Sequence, residues 1–127
     1  MTNGAPIRRK SKEHIEQVQF VQFVRAFYPE MVCMAIPNGG DLSASQRVKL
    51  AHEGLLVGAP DVMIFDKDRP ALAIEFKRPD GKGRVSDRQA MVHVQMEAVG
   101  IEVRVCKSAD EAKSVFHEWL VGWPRVE

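Results

Sequence analysis

Apolar residues recur along this chain with two periods, and each change of period marks an element. From Ser11 to about Tyr28, Ile15, Val18, Val21 and Val24 join Phe20, Phe23 and Phe27 in one broad stripe at helical spacing. Ser11 is placed to cap that helix and Pro29 to stop it. Val32-Cys33-Met34-Ala35-Ile36 is a short apolar run that reads as a buried strand, ended by the turn residues Pro37-Asn38-Gly39-Gly40. Ser43-x-x-Gln46 has capping-box spacing and opens a helix to near Gly54. Two apolar runs, Gly58 to Phe65 and Ala71 to Lys77, flank the polar Lys67-Asp68-Arg69-Pro70 and predict strand, turn, strand. Ser86-x-x-Gln89 opens a helix to about Val99, with Gly100 as its stop. Ile101 to Val105 alternates as a strand, and Ser108-x-x-Glu111 caps a last helix whose Ala112, Val115, Phe116, Trp119 and Leu120 face the core. This order predicts an α/β fold, a small mixed β-sheet flanked by helices.

The hairpin carries charge where buried strands should not. Asp61 opens its first strand, and Glu75 and Lys77 close its second. Side chains two apart share a sheet face, so Glu75 and Lys77 point one way and Phe76 the other. Two carboxylates drawn together across a hairpin repel unless a cation or a proton sits between them. A hard divalent cation meets that need with oxygen ligands, and a lysine beside it can hold an attacking water or a developing phosphorane oxygen. The outline is metal-assisted phosphodiester hydrolysis. Asp61 and Glu75 share a face only if paired residue numbers sum to an even value. A clean four-residue loop from Lys67 to Pro70 gives an odd sum. The expectation is therefore a three- or five-residue loop, a bulge near Asp61, or an Asp61 that bends in just before the regular ladder. The competing structural reading of Glu-x-Lys is a solvated strand end with a weak surface ion pair.

Composition narrows the picture little. At 127 residues, 45% apolar and 28% charged, the chain fits one ordinary globular domain. Residues 1–10 read as a flexible leader, 11–121 as the domain and 122–127 as a tail. No run suits a membrane span or a signal core, which suggests a cytoplasmic protein. Cys33 and Cys106 lie in apolar segments and read as reduced core thiols. His14, His52, His93 and His117 show no metal-ligand spacing and read as surface or capping residues. The formal net charge is only +1, but the basic residues cluster. Arg8, Arg9, Lys10 and Lys12 read as a solvated tail. Lys77, Arg78, Lys82, Arg84 and Arg88 crowd the loop beside the carboxylates and could meet phosphates there.

Several short runs, in order, resemble the virus-type replication-repair nuclease (VRR-NUC) domain of the PD-(D/E)XK, restriction-endonuclease-like superfamily. They are Glu13-His14-x-x-Gln17, Ile36-Pro37-Asn38-Gly39-Gly40, Gly58-Ala59-Pro60-Asp61, Ile74-Glu75-Phe76-Lys77-Arg78-Pro79, Gly83-Arg84-Val85-Ser86-x-x-Gln89 and Gly100-Ile101-Glu102-Val103-x-Val105-Cys106. The likeness spans about Glu13 to Leu120, with Ala59 where a valine is common. It implies that Asp61, Glu75 and the Phe76 backbone carbonyl ligate Mg²⁺ or Mn²⁺ and that Lys77 positions the water. It implies further that Glu13 reaches the site from the first helix, with Glu16 as the alternative, and that Gln89 supports catalysis. Gln17, Asn38, Gly39 and Ser86 would join the basic loop in meeting DNA.

The resulting expectation is a metal-dependent, structure-selective DNA endonuclease of viral or prophage type, with four-way junctions a plausible substrate. A flap nuclease or exonuclease, or a DNA-binding module of the same fold without turnover, are the alternatives. Symmetric cutting of a junction needs two sites related by a two-fold axis, so a homodimer is expected. Leu42, Leu55, Leu56, Val121 and Trp123 are its candidate interface residues.

Overall fold

A computed structural model describes residues 5–37, 42–80 and 83–123, with side chains from residue 13 onward. Its elements follow the expected order: α1 (Ala5–Phe27), β1 (Val32–Ala35), α2 (Ala44–His52), β2 (Val62–Asp66), β3 (Arg69–Phe76), α3 (Asp87–Ala98), β4 (Glu102–Cys106) and α4 (Ala109–Gly122). Helix α1 begins at Ala5 and not at Ser11, so part of the stretch read as a leader has helical backbone. Asn38, Gly39, Gly40 and Lys82 lie outside the described residues, as do the side chains of Arg8, Arg9, Lys10 and Lys12. No helix among the described residues is long and apolar enough to cross a membrane.

The strands form one sheet in the order β1-β2-β3-β4. The first three are antiparallel, and β4 joins β3 in parallel. One face is sealed by α1 and α4. Phe20 and Val24 from α1 meet Val115, Phe116 and Trp119 from α4 over Ile64, Leu72, Ile74 and Phe76. Phe116 packs edge-on against Phe20 and Tyr28, and tilted rings continue the contact to Trp119. Cys33 and Cys106 are free thiols in this layer. Ile15 and Phe27, counted in the α1 stripe, are exposed near its two ends. On the other face α3 lies over Met63, Ala73 and Val103 through Met96. Helix α2 has its complete capping box, Ser43 with Gln46, but buries none of its residues.

The hairpin resolves the parity problem at its far end. Val62 pairs with Ile74 and Ile64 with Leu72, so residue numbers there sum to an even value. Asp66 pairs with Arg69 across a two-residue turn, an odd sum. Between those pairs β2 has only Phe65, whereas β3 has Pro70 and Ala71. The extra residue is a bulge at Pro70, a residue that has no N–H to give to a ladder. The bulge therefore lies beside the turn, not near Asp61, and the turn is shorter than expected. Asp66 tightens it, with Oδ2 accepting from Arg69 Nη1 at 2.6 Å and from the Asp68 N–H at 3.3 Å. Asp61 itself sits one residue before β2, held on both sides. Its N–H donates to the Ile74 carbonyl, and its own carbonyl accepts from the Ile36 N–H.

Candidate active site

The even register places Asp61 opposite Glu75, on the face covered by α3. Glu75 is 3% exposed, the one buried charged residue among those described. Asp61 Oδ2 accepts the Phe76 N–H at 2.7 Å, which fixes its rotamer across the strand end. The two carboxyl groups stand close together in this desolvated spot, each in the other's field. Burial, then the neighbouring Asp61 charge, pushes Glu75 up to about 8. Burial also raises Asp61, against the pull of the Phe76 N–H. Two acids that reach into one desolvated spot hold a proton there when no cation does.

Lys77 and Gln89 close the cluster. Lys77 Nζ lies 3.6 Å from Glu75 Oε2 and donates to Gln89 Oε1 at 2.9 Å. The same Gln89 oxygen accepts the Ser86 N–H at 3.0 Å, while Gln89 Nε2 donates to Glu75 Oε2 at 3.0 Å. Ser86 Oγ in turn accepts the Gln89 N–H at 3.1 Å. The capping box of α3 is thus complete and is also joined to the site. One side chain thus caps α3 and also hydrogen-bonds Lys77 and Glu75. Gly58 allows this closeness. With φ at +94°, a Cβ there would stand 2.9 Å from Arg88 Cγ and 3.0 Å from the Arg88 carbonyl oxygen. Any side chain at Gly58 would push the first turn of α3 away from Asp61.

Glu13 and Glu16 separate by geometry. Glu16 Oε1 accepts the Ala109 N–H at 2.7 Å, so it serves the first turn of α4. Glu13 is half-buried and lies in the fields of Lys77, Asp61 and Arg78; burial, the largest influence, raises its pKa. Of the basic loop, Arg78 pairs with Asp80 at 2.7 Å, and Arg84 and Arg88 are exposed. Gln17 is half-buried on α1. The structure therefore draws Glu13, Asp61, Glu75, Lys77 and Gln89 together and leaves Arg78, Arg84 and Arg88 around them.

His93 is not the surface or capping residue that its sequence context predicts. Its side chain is 12% exposed, and Nε2 stands 4.0 Å from Glu75 Oε1. Burial lowers its pKa from the usual histidine value. The signal was available: His93 is four residues beyond Gln89, and with Val92 and Met96 it completes the packed face of α3. Spacing among histidines does not reveal a neighbouring carboxylate on another element.

Among the described residues no group of three or more His, Cys, Asp or Glu side chains could hold a metal ion unaided. The residues nonetheless fit a hard cation. Two carboxylates meet at a desolvated point, and Glu75 Oε1 is buried without a hydrogen-bond partner. Mg²⁺ uses one or two carboxylates and completes its shell with other oxygens and water.

A solved structure described as a VRR_NUC domain protein matches with a TM-score of 0.71 at 18% sequence identity, covering 99% of this chain and 96% of that one. This chain has the VRR_NUC fold. No protein-family model matches the sequence, and no curated protein does. The likeness therefore lies in the backbone arrangement, a four-stranded mixed sheet between helices. Within the VRR_NUC fold of this chain, the carboxylates stand where β2 begins and β3 ends, the point at which Pro60 and Lys77 leave the sheet.

Proposed function

We propose that this chain is a metal-dependent DNA endonuclease. The observation that carries the reading is Asp61 brought opposite the buried Glu75 by the strand register, with the Lys77 ammonium 3.6 Å from Glu75. A VRR_NUC fold neighbour supports it. Asp61, Glu75 and the Phe76 carbonyl would hold Mg²⁺ or Mn²⁺, which would supply charge for the attacked phosphate and acidify a water. Lys77 holds that water and meets developing negative charge. Gln89 orients both Lys77 and Glu75, and Glu13 adds a carboxylate at the α1 side. Gln17, Arg78, Arg84, Ser86 and Arg88 line the path of the DNA, and Asn38, Gly39 and Lys82, outside the described residues, are candidates from the sequence alone. Residues 11–121 are the working domain and the setting is the cytoplasm of a bacterial or phage-infected cell. A branched substrate such as a four-way junction suits a two-fold dimer. Exposed Leu56, Val121 and Trp123, with Leu42 and Leu55, are the residues for its interface.

The test is cleavage of plasmid, linear duplex, flap and junction DNA with Mg²⁺, Mn²⁺, Ca²⁺ or chelator. Chelator should abolish cleavage, Mg²⁺ or Mn²⁺ should restore it, and Lys77→Met should lose on the order of 10²-fold or more in turnover while calorimetry shows retained metal binding. Full activity in chelator sinks the mechanism. Cleavage of flaps or ends alone moves the function to a flap nuclease or exonuclease. DNA binding without cleavage under all metals makes the chain a binding module. Sedimentation decides the dimer.

A further inference from the structure

Buried polar atoms without partners are rare in folded proteins, and each asks for an account. Two of the few among the described residues face one another: Glu75 Oε1 and His93 Nε2, 4.0 Å apart. That gap is too long for a hydrogen bond. A water linking the two by ordinary hydrogen bonds of about 2.8 Å with a tetrahedral angle would need a wider one. The other Glu75 oxygen is already engaged, by Gln89 Nε2. Oε1 itself has no hydrogen-bond partner, and the equally unpartnered His93 Nε2 faces it.

We infer that His93 is a positioning residue of the site: its Nε2–H closes on Glu75 Oε1 and fixes the plane of the carboxylate as it takes up the cation. A carboxylate can only accept, so the ring must present Nε2–H and not a lone pair. Gln89 on one oxygen and His93 on the other, both from the packed face of α3, then grip Glu75 from a single helix. Such groups behind a metal-binding carboxylate orient it and raise its affinity. The inference rests on the proposed metal site, and its test separates the two.

Mn²⁺ binding by electron paramagnetic resonance in wild type, Asp61→Asn, His93→Phe and His93→Gln provides that separation. Wild type should bind, and Asp61→Asn should not; equal binding in both removes the metal site itself. With the site intact, His93→Phe keeps the ring volume without a donor and should weaken Mn²⁺ binding by about 10-fold to 100-fold. His93→Gln, which retains an N–H, should recover much of the loss. Unchanged affinity in His93→Phe overturns the role, as does a His93→Gln variant no better than His93→Phe. A second measurement needs no variant. Nitrogen-15 shifts of the His93 ring in Mg²⁺-loaded wild type should show the proton on Nε2, and a bare Nε2 would equally overturn the inference.

Discussion

The two faces of the sheet are built to different standards. Under α1 and α4 the layer is thick and aromatic, with Phe20, Phe76, Phe116 and Trp119 essentially inaccessible to solvent. Trp119 adds polar anchors: its Nε1 donates to the Pro70 carbonyl at 2.9 Å, and the Arg69 guanidinium lies 5.6 Å from its ring centroid. Under α3 the sheet buries Met63, Ala73 and Val103 and the helix adds Val92, none of them aromatic. Val32, Met34 and Phe65 remain exposed on that same face of β1 and β2. The polar cluster of Asp61, Glu75, Lys77, Gln89 and His93 occupies the thin side. One face thus supplies the free energy of folding, and the other can hold charges that oppose it. Strands β2 and β3 are shared by both, so the rigid layer sets the register that brings the carboxylates together.

The sharpest way to break this comparison is Trp119→Ala. Loss of a fully buried indole costs about 3–5 kcal/mol, a large share of the stability of a domain of this size. Chemical unfolding should show that loss. The remaining folded protein should keep its turnover per folded molecule, because Trp119 lies on the opposite side of the sheet from Glu75. A fall in turnover beyond the folded fraction would show that the two faces are not separable.

The thick face was legible in the sequence because periodicity encodes it. The stripe Ala112, Val115, Phe116, Trp119 and Leu120 packs as its spacing indicates. The capping boxes at Ser43 and Ser86 are both complete. At Ser108 the cap holds, but Glu111 reaches the Lys107 N–H in place of the Ser108 N–H. The thin face was legible only in part. Asp61, Glu75 and Lys77 stood out because charge interrupts apolar strands. The bulge location was hidden because a turn and a proline can restore parity at either end of a hairpin. His93 was hidden because its neighbour Glu75 is eighteen residues away in sequence, on another element. The Glu16 partner was hidden as well, because only the docking of α4 onto α1 brings the Ala109 N–H near it.

A second prediction concerns the cost of the charged side. In metal-free protein, burial and then the Asp61 charge push Glu75 up to about 8 from a usual 4.5. Between those values the folded state binds more protons than the unfolded state, so stability falls as pH rises. His93, pushed below its usual 6.5 by burial, acts in the opposite sense below that value. Melting in chelator should therefore decline from pH 4.5 to about 8, and Glu75→Gln should flatten the decline. The difference should be on the order of a few kcal/mol across the window. Mg²⁺ should oppose the trend, because its binding favours the deprotonated ligands. Identical pH slopes in wild type and Glu75→Gln would mean that Glu75 is not protonated in the folded protein.

The smallest expected effect tests the seam between structure and site at the start of α3. Ser86→Ala removes the acceptor for the Gln89 N–H, a cap worth about 0.5–2 kcal/mol. The Gln89 side chain can still accept from the Ser86 N–H and from Lys77, so turnover should change little beyond stability. Gln89→Ala removes the other half of the box and should cost a similar amount of stability. It also releases Lys77 Nζ and Glu75 Oε2 together. Turnover should then fall about 10-fold to 100-fold, as for other groups that orient a metal-binding carboxylate. The decisive quantity is the ratio of the two losses in each variant. Similar ratios in Ser86→Ala and Gln89→Ala would assign Gln89 to the cap alone. A large excess loss of turnover in Gln89→Ala would show that one amide carries the helix start and the catalytic geometry at once, which is how a thinly packed face can still hold its charged groups in place.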